Sequence, residues 1–404
     1  MEIVKRFWYL ILIGLVIRIL VAGFTFHSDI KAPALASAVY LRLGELNPYE
    51  QSFRLMPNEV LDDLPLGYFI ALPIHSIGRL LVDEQVESVF FLSQDQVFGD
   101  YKLWLYLIYA KLPTILFDVA IGVVLALILK TFSKKVLLIW MLNPFAIWVS
   151  SAVGQIDVYP AFFITLACYF ITKNNLNLGA LSLGLGVAVK TAPFLLLPFL
   201  LGLRKDMGVN IKLLLLAAAP YLISVIPYLP SADFRQDAFF APQLNKVFYS
   251  QLSLSGGESI FLIVFFLTLL YMSYFAKKRE GKDFLGFSIV TLLLTLSFTH
   301  FHIQWFLWVM PLLIIWLISN LTIDTKLAAS VLLVSLSAMM FLFEASLQVK
   351  LFAPLFPWLD TMKGLGEVLN TDQLHFARSL AASVFASASV YLAIKILIMG
   401  KYEK

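Results

Sequence analysis

Long apolar runs, each close to the length of a bilayer crossing and separated by clusters of Lys and Arg, constrain this chain more than any other feature. A hydrocarbon core about 30 Å thick takes about 20 residues of helix, and helices satisfy their own backbone polar groups there. Of the 404 residues 60% are hydrophobic and 14% charged, whereas soluble domains carry about 25% charged residues. A water-soluble fold of this length cannot hide so much apolar surface. The chain therefore reads as an all-α polytopic membrane protein forming a single transmembrane domain over residues 1–404. The lone Cys168 lies inside an apolar run, which gives no disulfide framework and no Cys-based metal site.

Basic clusters mark cytoplasmic ends. Lys5-Arg6 places the N-terminus inside. Lys130 with Lys134-Lys135, Lys173, Arg204-Lys205 with Lys212, and Lys277-Lys278-Arg279 with Lys282 mark inner turns, as do Lys326 and the group Lys395, Lys401 and Lys404. The seams between them, near residues 27–102, 152–157, 190–192, 230–257, 299–303 and 344–377, then face out. This predicts about 12 crossings with both termini inside. The 11 acids between Asp29 and Asp100 agree with an outer first loop. The run Phe7–Phe26 has the basic flank of a signal peptide but exceeds an h-region of about 7–15 residues, so it is read as an uncleaved anchor. Pro65–Val82 is apolar but short and is read as an outer-leaflet juxtamembrane or re-entrant piece, with a true span the alternative. Residues 178–203 carry Lys190 and Pro193 at their middle and read as two half-spans meeting at an outer-facing break.

The polar residues in the outer seams are the candidate site. Asp29, beside His27 and Ser28, is either a solvated helix end or a working carboxylate. Arg18 lies about three turns deeper in the same run, where a charge is costly unless paired or wetted; a guanidinium there suits a phosphate. At the Lys190 break, Thr191 can cap the next half-helix and Pro193 suits its first turn, so free N–H groups and the ammonium together offer an anion site. Ser151 and Gly154-Gln155-x-Asp157 provide a sharp exit with groups that bind hydroxyls, a metal or Arg. Lys111 and Asp118, seven residues apart, are expected to pair. His300-x-His302-x-Gln304 reads as substrate hydrogen bonding or as an interfacial belt with Trp305 and Trp308, more than as metal ligation. Asp62-Asp63 reads as a solvated acidic turn, with metal binding the alternative. His75 and His375 stay unassigned. No Walker loop, dinucleotide fingerprint or zinc motif appears, so nucleotide-driven chemistry and a nucleic-acid partner are not expected.

Taken in order, these pieces resemble the glycosyltransferases of the C superfamily (GT-C), which use polyprenyl-phosphate sugars, and among them the mannosyltransferases of glycolipid and GPI-anchor assembly and their prokaryotic relatives. The resemblance runs through Arg18 and Asp29, Asn47-Pro48-Tyr49, Pro65-Leu66-Gly67-Tyr68, Lys111-Leu112-Pro113 with Asp118, Asn143-Pro144, Ser151 with Gly154-Gln155-x-Asp157, Lys190-x-x-Pro193 and Gln304 to Trp308 with Pro311. It covers roughly residues 10–315. A GT-C-like bundle is implied, with a catalytic module over residues 1–230, variable helices and outer loops over 231–404, and juxtamembrane helices in the first outer loop. By this resemblance Asp29 is the general base of an inverting hexosyl transfer to a lipid-linked or glycan acceptor. Lys190, Arg18 and Thr191 hold the donor phosphate, and Gln155, Asp157, His300, His302 and Gln304 hold sugar or acceptor. The first loop has Asp29 alone where the family pattern has an acid-x-acid pair, so no metal is assigned and a divalent ion is left open. The implied partners are a polyprenyl-phosphate sugar as donor, a glycolipid or glycan acceptor and membrane lipids. The implied location is a prokaryotic plasma membrane or a eukaryotic ER membrane, with the site on the extracytoplasmic face. Two other classes compete: a polyprenyl-lipid flippase or transporter, and a catalytically inactive GT-C-like assembly subunit.

Overall fold

The computed structural model describes residues 2–57, 59–277 and 279–399; Lys278, Lys401 and Lys404 of the predicted inner clusters lie outside them. The chain is an integral, multi-pass helical membrane protein. Its helices are α1 (Glu2–Phe24), α2 (Lys31–Ala38), α3 (Pro65–Phe69), α4 (Leu72–Gly78), α5 (Glu84–Ser93), α6 (Tyr101–Ile128), α7 (Ser133–Met141), α8 (Val158–Thr172), α9 (Leu176–Val189), α10 (Leu197–Leu201), α11 (Met207–Val225), α12 (Leu262–Phe275), α13 (Gly281–Phe298), α14 (Met310–Ser319), α15 (Ile323–Leu342) and α16 (Thr371–Met399), joined by single turns of helix and one small hairpin. That hairpin pairs Gln251–Ser253 with Ser259–Phe261, Leu252 opposite Ile260.

Many helices start where the sequence supplies an acceptor for otherwise unpaired N–H groups. Asp83 accepts from the N–H groups of Gln85 and Val86, Asp100 from Lys102, Asn175 from Leu178 and Asp206 from Val209. Thr322 and Thr325 close a reciprocal cap at the start of α15. Helix α1 packs on α6, α6 on α8, α8 on α9 and α9 on α11, while α13 and α15 both pack on α16. At Gly184 of α9 a Cβ would stand 2.2 Å from the Ala217 carbonyl oxygen of α11, so that approach requires glycine. Outward faces stay apolar, as Trp8, Leu12, Ile13, Val16 and Leu20 of α1 show; against lipid that exposure carries no hydrophobic penalty.

The expected 12 crossings are not found. Among the described residues six helices are long and apolar enough to cross, or up to eight if two bent pairs are each counted as one. The reason is length: several apolar runs form helices of 10–17 residues that end short of a bilayer's thickness. The region 178–203 is one such case. Helix α9 stops at Val189, Lys190 is extended (φ −146°, ψ 143°), and the chain resumes as a 3-10 turn, Ala192–Leu196, before α10. The first loop is helical too: Pro65–Leu81 meets Glu84–Val97 at 120°, the bend of a broken span or of a re-entrant loop. It builds its own core, in which Phe26, Leu35, Tyr68, Phe90 and Phe91 pack on Tyr106 of α6.

Candidate functional site

The site forms where α1 leaves the bundle core, and a buried lysine sets its geometry. Lys111 of α6 is fully buried, and its Nζ donates to the carbonyls of Ala22 (3.2 Å), Thr25 (2.6 Å) and Ala152 (3.0 Å) and to Thr25 Oγ1 (3.2 Å). It therefore ties the end of α1 to the end of the π-helical turn Trp148–Val153. Gly154 then reverses the chain at φ +82°, and a Cβ there would meet Lys111 Cγ at 2.8 Å and Ile30 Cδ1 at 2.9 Å. Only glycine meets both demands. The turn after α1 carries Asp29 and the turn after Gly154 carries Gln155, and the two side chains meet, Gln155 Nε2 donating to Asp29 Oδ2.

A second polar group adjoins the first. Asp157 is fully buried, and its Oδ1 accepts from Trp308 Nε1 at 3.0 Å. Lys190 Nζ lies 3.2 Å from Asp157 Oδ2 and 3.6 Å from Asp63 Oδ1. His302 stands close by, its Nε2 2.9 Å from Lys246 Nζ. Partial burial raises the Asp29 carboxyl, but the hydrogen bond and charge of His27 and the charges of Lys190 and His302 outweigh it and hold the group below the ordinary carboxylate range. Burial pushes Asp63 up to about 7, with Asp62, Asp157 and Asp29 adding to the rise against the pull of Lys190. Burial and the charge of Lys246 lower the His302 imidazole.

Asp29, Gln155, Asp157, Lys190 and His302 thus come together from seams far apart in sequence. Asp63, Trp308 and Lys246 join them, and sequence reasoning gave none of the three this place. Asp63 follows another acid two residues before Pro65, which reads equally as a solvated turn. Trp308 is one of a pair of tryptophans that fits an interfacial belt, and Lys246 lies in a polar loop without a pattern.

Two expected site residues, Arg18 and Thr191, take other surroundings. Arg18 is fully buried and held on every side: Nε donates to Asp118 Oδ2 (2.6 Å), Nη1 to the carbonyls of Gly14 (3.1 Å) and Met141 (2.8 Å), and Nη2 to that of Trp140 (3.3 Å). Enclosed by one carboxylate and three carbonyls, it is out of reach of a substrate phosphate. This also corrects the Lys111–Asp118 pair: two turns separate those side chains by about 10 Å along α6, and Asp118 takes Arg18, Ser150 Oγ (2.7 Å) and Trp140 Nε1 (2.9 Å) instead. Thr191 makes no capping hydrogen bond, and the chain continues from it as a five-residue 3-10 turn with little dipole to offer. Instead Thr191 lines an apolar cavity of about 300 Å³ with Leu183, Val187, Phe194 and Tyr221. His300 is exposed against the ring of Tyr249, and Gln304 is buried with its Oε1 unpartnered. Elsewhere His75 is a structural contact, meeting Ser37 Oγ at 2.7 Å and the Ala110 carbonyl at 3.2 Å. Among the described residues no group of three or more His, Cys, Asp and Glu side chains is arranged to hold a metal ion.

The charges of Lys190 and Asp29 are met within the protein, while Lys246 Nζ meets the His302 ring. Lys190 sits between two carboxylates, and Asp29 is engaged by Gln155 and flanked by His27. Such an arrangement presents paired acceptors and donors suited to hydroxyl groups.

Comparison with known proteins corrects the functional expectation. No curated protein matches the chain. The family model described as GPI transamidase subunit PIG-U matches residues 108–297, just under half of the chain, and no model of the C-superfamily glycosyltransferases does. The matched description is of a subunit of a transamidase and not of a sugar transferase. It overturns the assignment as a GT-C hexosyltransferase and, with it, the polyprenyl-phosphate sugar as donor.

Proposed function

We propose that this chain is a non-catalytic membrane subunit of a GPI transamidase-type complex, which attaches protein to lipid, and that the cluster around Lys190 receives the polar head of the lipid. The match over residues 108–297 carries the reading, because that stretch contains Gln155, Asp157 and Lys190, which the fold gathers at one place. The geometry supports it. A polyhydroxylated head is held by many hydrogen bonds, and Gln155, Asp29, Asp63 and Lys246 supply donors and acceptors within one cluster. The apolar cavity beside Thr191 lies next to Lys190 in sequence and has room for part of an acyl chain. Nothing in the reading requires Asp29 to act as a base.

The test is purification of the full chain from native membranes in mild detergent, with deletion of the chain examined in parallel. The expected outcome is co-purification with other protein subunits in fixed ratio and, on deletion, accumulation of complete glycolipid beside unattached protein. A chain that migrates alone, or a deletion strain whose glycolipid stops one sugar short, overturns the proposal.

A further inference from the structure

At the opposite end of α6 and α8 the chain forms a cavity of about 840 Å³, which the proposed lipid-head cluster does not use. Its rim is basic. Lys130, Lys173, Arg204, Arg279 and Lys282 line it, against the single carboxylate of Glu280, so cations exceed acids there by four. Glu280 is taken by Lys282 at 3.1 Å. Lys130, Lys173 and Arg204 have no carboxylate within ion-pair distance among the described residues and are exposed. Arg279 is fixed in the wall, its Nε and Nη2 donating to the carbonyls of Tyr274 (2.9 Å) and Ser273 (2.7 Å) and its guanidinium over the Phe287 ring.

Inward the character changes. Leu129, Ile171, Leu285 and Ile315 form an apolar wall, and Cys168 continues it one turn further along α8. A basic mouth over an apolar floor, at the helix ends that the Lys/Arg distribution places on the cytoplasmic side, matches an amphiphile with an anionic head. Inner turns that read as separate topology signals along the chain converge here on one volume.

We infer that this cavity is a binding site for an anionic phospholipid, with the phosphate held by Lys130, Lys173 and Arg204 and an acyl chain along the Ile171–Leu285 wall. A free phosphate compound shares the head chemistry but leaves the apolar floor uncovered, so the lipid is the better fit.

Native mass spectrometry of the purified full chain in neutral detergent tests this, titrating dioleoylphosphatidylglycerol against dioleoylphosphatidylcholine, with glycerol 3-phosphate as the tail-less probe. The expected result is at least a tenfold preference for phosphatidylglycerol, falling as salt rises, and at least a tenfold loss in the combined variant Lys130→Gln, Lys173→Gln, Arg204→Gln. The control Lys134→Gln, Lys135→Gln, Lys205→Gln removes the same charge from neighbouring exposed positions outside the cavity and is expected to bind as the unaltered chain does. Equal loss in both variants overturns the site. Equal affinity for the two lipids does the same, as does glycerol 3-phosphate binding as tightly as the lipid. If the first combined variant does not fold, the salt dependence and headgroup preference of the unaltered chain decide the matter.

Discussion

Replacing Asp118 by Asn separates the structural and ligand-binding readings of Arg18, because the two predict opposite phenotypes. Asp118 Oδ2 takes both Arg18 Nε at 2.6 Å and Ser150 Oγ at 2.7 Å, and Oδ1 takes Trp140 Nε1 at 2.9 Å. Asn keeps the size and one acceptor oxygen but removes the charge, and its amide cannot serve all three donors through two acceptor oxygens. Hydrogen bonds to an ionised group are worth about 1.5–3 kcal/mol each. The guanidinium that remains is buried with carbonyl partners only. Removing one member of a buried pair costs about 3–5 kcal/mol, and the surviving carbonyls of Gly14, Met141 and Trp140 place this site toward the lower end. Equilibrium unfolding in mixed detergent micelles measures the loss directly. The double variant Arg18→Leu, Asp118→Leu removes both charges together and is expected to recover much of it, so the cycle closed with the single variants Arg18→Leu and Asp118→Leu returns a coupling of at least about 2 kcal/mol. An Asp118→Asn protein as stable as the unaltered chain would refute the assignment and return Arg18 to the pool of ligand-binding candidates.

Lys111→Met withdraws the one donor shared by the carbonyls of Ala22, Thr25 and Ala152; a loss of at least about 2 kcal/mol is expected on unfolding, together with weaker binding of a glycolipid probe as Asp29 and Gln155 separate. Gly154→Ala forces a side chain at φ +82° within 3 Å of Lys111 and Ile30, and a cost of about 1–3 kcal/mol is expected; full stability would mean that the turn repacks freely. Asp63 is raised to about 7 in the fold, so the folded state holds its proton where the unfolded chain has already released it. Stability from this group is complete below about pH 4, declines as pH climbs to about 7 and levels off above, and the decline is expected to shrink in Asp63→Asn. His300 and His302, both lowered, act with the opposite sign on the acid side of the ordinary imidazole range. An unchanged slope in Asp63→Asn would assign the decline to another group.

The amino-acid sequence settled the solvent and the class of fold. Apolar runs with basic ends permit only helices in a bilayer, and composition alone excludes a soluble domain. It also located the breaks: Gly154 and Lys190 interrupt apolar runs, and the helices do stop beside them. Which polar residues share a place was legible in part, because Asp29, Gln155, Asp157 and Lys190 all fall in seams of one orientation. The number of spans was not legible, because hydropathy measures how apolar a run is and not whether a short helix in it ends, bends or packs before crossing. Partner choice was not legible either. Arg18 and Lys111 look alike along the chain, each a lone cation in an apolar run. Only packing shows that α1 brings Arg18 against the carboxylate of α6 while Lys111 reaches the carbonyls at the ends of α1 and the π-helical turn. A buried charge takes whichever acceptor the fold places within about 3 Å, and that distance is set by helices that meet across a hundred residues of chain, beyond the reach of any local pattern.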